Sequence, residues 1–161
     1  MSALFTIFRA ITYATLFFAL VLIYLPARVL SWPGLARPDA IGGAQILGIV
    51  FGSAGALFAL WCVAAFAWMG KGTPAPFDPP RRLVIRGPYR FVRNPMYIGA
   101  ALALAGAALF YLSAALLAYC GLLLLAAHLF VVFYEEPTLR RSFGPEYEAY
   151  CHRVRRWLPR V

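Results

Sequence analysis

Residues 94–134 read NPMYIGAALALAGAALFYLSAALLAYCGLLLLAAHLFVVFY, a run without a single aspartate, glutamate, lysine or arginine. A helix needs about 20 apolar residues to cross the hydrocarbon core of a bilayer, so this run is long enough to cross twice. Tyr111-Leu112-Ser113 stands near its middle. The pattern predicts a helical hairpin, 96–110 going out and 114–134 coming back. The outgoing arm is short, so its turn is expected to dip into the membrane interface.

Two other stretches lack charge, 10–27 and 40–70. Hydrophobic residues make up 63% of the 161-residue chain and charged residues 13%, where soluble domains carry about 25% charged. The expected fold is therefore all-α and integral to the membrane, with about four transmembrane helices and a C-terminal helical hairpin. One domain covers 1–161. It comprises two N-terminal helices within 1–70, a loop over 71–95, the hairpin over 96–134 and a terminal segment over 135–161.

Basic residues set the orientation. With four spans, one side holds Arg9, six Lys or Arg between Lys71 and Arg93, and six Arg from Arg140 to Arg160; the other holds Arg28 and Arg37. This bias places both termini and the 71–95 loop in the cytoplasm. The net charge of +9 calls for anionic lipid headgroups rather than nucleic acid. No small-residue cleavage site follows the first apolar run, so it reads as a span and not a signal peptide. Cys62, Cys120 and Cys151 are scattered and odd in number, implying neither a disulfide framework nor a metal site.

Gly48, Gly52 and Ala56 fall four residues apart on one face, as small residues do where helices approach closely in lipid; Gly99, Ala103 and Gly106 likewise share one face. The proline-rich 71–80 is expected to be irregular. Beyond Gly144-Pro145, the residues Tyr147, Tyr150, Cys151, Val154 and Leu158 recur at helical spacing among arginines. They predict an amphipathic helix on the cytoplasmic face.

Two features carry chemistry. Glu135-Glu136 is expected to end the last span, where the helix dipole disfavours carboxylates by about 0.3–1 kcal/mol each. Such a pair wants cations, supplied by Arg140, Arg141 or the loop arginines, or by a ligand. Residues 86–97 interleave Arg86, Arg90 and Arg93 with Tyr89, Phe91 and Tyr97, and Asn94-Pro95 opens a helix. Arginine and a helix N-terminus suit an anion, and aromatic faces suit a base or a cation. The hairpin returns the chain to the face it left, bringing Tyr97 and Glu135 together. A ligand with a carboxylate, cationic groups and an aromatic base bridges the two, and S-adenosylmethionine has all three.

Arg86-Gly87-Pro88-Tyr89, Arg93-Asn94-Pro95-Met96-Tyr97-x-Gly99, then Glu135-Glu136, Leu139, Phe143-Gly144, Tyr147, Tyr150 and Pro159 together resemble the isoprenylcysteine carboxyl methyltransferases. These are membrane enzymes related to the phospholipid methyltransferases, including those that N-methylate phosphatidylethanolamine. The resemblance covers roughly residues 81–160. It implies S-adenosylmethionine as cofactor, S-adenosylhomocysteine as product, and a lipid or prenylated acceptor. Glu135 would bind the amino group or ribose of the cofactor; Tyr89, Asn94, Pro95, Met96 and Tyr97 would line its site, with Leu83 and Val84 in backbone or apolar contact. Arg93 would face the cofactor carboxylate or the substrate. Asn94 stands where many members have histidine, and Val131 where the animal isoprenylcysteine enzymes have an arginine.

The expected reaction moves a methyl group from the sulfonium to a lipophilic acceptor, with no enzyme nucleophile. An ammonium acceptor first has to lose a proton, and His128 or Glu136 is then the candidate base. The other readings are a membrane NADPH-dependent sterol-type reductase and a non-catalytic membrane subunit. The acceptor and the oligomeric state are left open.

Overall fold

A computed structural model describes residues 12, 15–16, 19–31, 38, 40–70 and 82–159. The start of the expected first helix, Pro33 and Gly34 of the first loop, the proline-rich 71–80, and Arg81 and Arg160 lie outside the described residues. Helix α1 is Ala19–Leu30, α2 is Gly43–Gly70, α3 is Pro95–Phe110 and α4 is Ala114–Phe130. A π-turn, Val131–Glu135, carries α4 into α5, Glu136–Phe143, and α6 is Pro145–Arg153. No strand occurs among the described residues, only an isolated parallel bridge between Val92 and Arg155.

Two of these helices are long and apolar enough to cross a membrane: Gly43–Phe66 of α2, and the continuous Ala114–Phe143. Half of the residues of each are exposed, including Leu57, Leu60 and Trp61 on α2 and Leu117, Leu122, Leu125 and Phe133 on the return arm. Apolar area left in water costs about 25 cal/mol per Å², so surfaces of this kind belong in lipid. Helix α3 has 16 residues, about 24 Å at 1.5 Å per residue, and is the short arm that the sequence predicts.

The hairpin turn falls at Tyr111–Ser113 as expected. Ser113 Oγ accepts from the Leu116 amide at 3.1 Å and caps α4. Tyr119 of α4 donates to the Val21 carbonyl of α1 at 3.0 Å.

Helices α2 and α3 pack antiparallel through small residues. A methyl group on Gly48 would come within 2.6 Å of the Phe110 amide nitrogen, and one on Gly99 within 2.8 Å of that of Ala59. The contact row on α2 is Gly48, Gly52, Gly55 and Ala59, which corrects the expected Gly48, Gly52, Ala56. At 3.6 residues per turn, strict four-residue steps walk off the face, and the step from Gly52 to Gly55 brings it back. Buried Gln45 locks the end of the pair, donating to the Phe110 carbonyl at 3.3 Å and accepting from the Gly42 amide at 3.0 Å. Alanine at Gly106 would meet the Gly52 backbone and the Gly48 carbonyl. That variant is expected to lose about 1–3 kcal/mol in detergent unfolding, whereas Gly121→Ala, which meets nothing within 4 Å, loses none.

Two expectations need correction. The Glu135-Glu136 pair does not end a helix, because the chain runs on through the π-turn into α5. Pro137 makes this possible. It sits in the first turn of α5, and the wider π-turn before it takes up the clash a proline ring makes with the carbonyl four residues earlier. The dipole argument for the pair therefore falls away. The predicted surface helix, likewise, spends its apolar face on protein: Tyr147, Tyr150 and Val154 are buried against Leu83, Ile85, Leu139 and Phe143. It ends at Arg153, so Leu158 lies beyond it and is exposed.

Candidate active site

Tyr97 stands in the first turn of α3 and Glu135 closes the π-turn. Thirty-eight residues apart, they meet: the Tyr97 hydroxyl donates to Glu135 Oε2 at 3.4 Å. The hairpin does bring the tyrosine-bearing turn and the glutamates to one place.

The two glutamates have different partners. Glu136 is buried and takes two bonds from Arg156, Nε to Oε1 at 2.7 Å and Nη2 to Oε2 at 2.9 Å, the bidentate arrangement that gives the strongest carboxylate contacts. Arg93 Nη2 lies 3.2 Å from the same Oε1. Hydrogen bonding to Glu136 in turn pushes the Arg156 guanidinium up from its ordinary value. Arg140, expected as a partner, pairs instead with Glu148 at 3.4 Å on the surface. For Glu135, the Tyr97 hydroxyl is the hydrogen-bond partner among the described residues.

Arg93 links the site to its surroundings. Its Nη1 donates to Cys151 Sγ, while its buried Nε–H has no acceptor among the described residues. One carboxylate between two guanidiniums leaves a surplus positive charge beside Glu135.

The C-terminal segment 154–157 lies across this cluster as a strap. The Arg93 amide donates to the Arg155 carbonyl at 3.0 Å, and buried Asn94 donates through Nδ2 to the Arg156 carbonyl at 3.3 Å. Trp157 Nε1 donates to His128 Nδ1 at 3.1 Å, and the indole packs edge-on to Tyr97 with centroids 6.3 Å apart. Below the strap, the Tyr150 hydroxyl donates to the Tyr89 carbonyl at 2.6 Å. Burial pushes the Tyr150 phenol up, so it remains a donor at physiological pH.

The structure thus joins Arg93, Asn94, Tyr97, His128, Glu135 and Glu136 in one cluster. Leu83 and Val84 sit beside it in extended chain, pointing opposite ways. Leu83 packs with Tyr147 and Tyr150, while Val84 packs with Cys62, Ala65 and Tyr89, joined by Met96. Pro95 is fully buried. Sequence reasoning missed Arg156, Trp157 and the contact to Cys151. The signal was an arginine-tryptophan pair just past a helix end, hidden because its arginines read as the polar face of an amphipathic helix. Among the described residues, no three metal-ligating side chains converge.

Comparison with curated proteins and with solved structures finds no match for this chain. A family model described as phospholipid methyltransferase matches residues 44–146, taking in α2, the arginine loop, the hairpin and α5. With well over half its length matched, the chain belongs to the phospholipid methyltransferase family.

Proposed function

We propose that this membrane methyltransferase uses S-adenosylmethionine to methylate a lipophilic acceptor of the phospholipid or isoprenylcysteine type. The observation that carries the reading is the division of labour between neighbours: Glu136 is consumed by Arg93 and Arg156, while Glu135 has one phenol as its hydrogen-bond partner among the described residues.

The residues fit the cofactor. Glu135 suits its cationic end. Arg93, with an N–H lacking an acceptor among the described residues and a surplus of positive charge around it, suits its carboxylate. Asn94, Pro95, Met96 and Tyr97 form the helix-opening turn beside both, and Tyr89, Leu83 and Val84 supply the apolar wall. When bound, the cofactor supplies an electrophilic methyl group whose bond to sulfur breaks as its bond to the acceptor forms.

The protein's share is to orient and to keep water out, and alignment alone is worth about 7–11 kcal/mol of barrier. Tyr97 fixes the Glu135 carboxylate, Glu136 and the Arg155 carbonyl fix Arg93, and Trp157 covers the cluster. No nucleophile of the chain is needed. With four spans, the basic-residue bias puts both termini and the site on the cytoplasmic side, with the acceptor entering sideways from the bilayer. The family match does not favour the reductase reading.

Titration calorimetry with S-adenosylhomocysteine tests the proposal. Glu135→Ala is expected to weaken binding by about ten- to a hundredfold, and Glu148→Ala, in an exposed pair, to leave it unchanged. Binding of NADPH in place of S-adenosylhomocysteine would overturn the reading.

A further inference from the structure

His128 lies on α4 seven residues before Glu135, about 10 Å further along the helix at 1.5 Å per residue. Its Nδ1 accepts the indole N–H of Trp157 at 3.1 Å, and the two rings lie 6.1 Å apart. Trp157 also touches Tyr97, whose hydroxyl reaches Glu135. A continuous row therefore runs from Glu135, the partner proposed for the cofactor's cationic end, through two aromatic rings, to a histidine within the apolar Ala114–Phe143 helix.

A neutral imidazole carries one proton and one lone pair. With the lone pair of Nδ1 taken by the indole, the proton sits on Nε2, and the orientation of the ring is set by the same contact. Nε2 engages no group among the described residues, and His128 is only half-buried. Ionisable groups at membrane depth face a partner or a pathway, so an N–H with no partner among the described residues is placed for a ligand. A general base needs a free lone pair, and His128 has none to give. Glu136, gripped by two arginines, is equally unsuited, so an amine acceptor reacts as the free amine, its proton already released to bulk water.

Resting on the methyltransferase reading above, we propose that Trp157 locks His128 as an Nε2–H donor, and that this N–H holds an anionic oxygen of the methyl acceptor, a phosphodiester or a carboxylate, instead of removing a proton. Trp157 is then a positioning residue and His128 an acceptor-binding one. Trp157 lies beyond the 44–146 segment that the family model matches, so the lock is a feature of this chain's strap.

The test has two independent arms. Nitrogen-15 NMR of histidine-labelled protein is expected to show the Nε2–H tautomer for His128, and a tautomer mixture in Trp157→Phe, which keeps a ring and loses the donor. An Nδ1–H tautomer or an imidazolium in the unaltered protein overturns the lock. In the second arm, methyl transfer is measured to phosphatidylethanolamine vesicles and to a prenylcysteine in detergent. His128→Leu is expected to raise KM for the acceptor used by about ten- to a hundredfold with S-adenosylhomocysteine affinity unchanged. His128→Gln, whose amide N–H falls near the Nε2 position, should recover about tenfold. The acceptor whose KM moves says whether the oxygen is a phosphodiester's or a carboxylate's. Glutamine as inactive as leucine points to a base, and loss of S-adenosylhomocysteine binding in His128→Leu points to a structural role; either refutes the proposal. Absence of transfer by the unaltered protein refutes the methyltransferase reading, and the NMR arm alone then decides the lock.

Discussion

Glu136→Leu is expected to destabilise the protein by about 3–5 kcal/mol, the cost of stripping the partner from a buried charge. Glu136 is 6% exposed and the Arg93 side chain 12%. Arg93 already has one N–H without an acceptor among the described residues, so removing the carboxylate leaves it with the Cys151 sulfur as its side-chain partner. Arg156, whose side chain is 30% exposed, reaches water more easily and adds less. Removing both ends of the buried pair should cost far less than removing one. Glu136→Leu combined with Arg93→Met is expected to recover about half of the loss or more, since a buried ion pair replaced by apolar groups of similar size is often near neutral. Unfolding in mixed detergent micelles, run as a double-mutant cycle, reads both numbers. A leucine variant as stable as the parent would mean that the cluster is solvated and Glu136 no anchor.

The hairpin was legible because lipid leaves one signal: a charge-free run twice the needed length with a turn at Tyr111–Ser113. The meeting of Tyr97 with Glu135 followed from that topology alone, since a hairpin must return to its starting face. What stayed hidden depended on contacts rather than composition. Glu135 and Glu136 are chemically identical neighbours, and only the three-dimensional path of the strap decides that Arg156 takes the second and leaves the first. Periodicity suggested that Tyr147, Tyr150 and Val154 face a membrane. An apolar stripe cannot say what it faces, and here it meets Leu83, Ile85, Leu139 and Phe143. The π-turn was invisible too, because Pro137 after a run of apolar residues reads as a stop, and the turn absorbs the proline instead.

Ending the chain at Arg153 is expected to abolish most activity while leaving the helices standing. The truncated protein lacks the Arg155 carbonyl that holds the Arg93 amide, the Arg156 carbonyl that holds Asn94, the Arg156 side chain and the Trp157 indole. Glu136 and Arg93 remain as a one-to-one pair, so no buried charge is stranded, in contrast to Glu136→Leu. The α2–α3 contact through Gly48, Gly55, Gly99 and Gly106 does not involve the strap, and the 44–146 segment that the family model matches ends before it. What goes is alignment: Arg93 and Asn94 lose the backbone that fixes them, and a displacement of about 1 Å at such a site costs on the order of a hundredfold in rate. Transfer of labelled methyl to a lipid extract should therefore fall about a hundredfold or more, with helical circular dichroism close to that of the full chain. If the shortened chain methylates as fast as the full one, the strap is packing only, and the cluster built from residues 93–136 is sufficient for the chemistry.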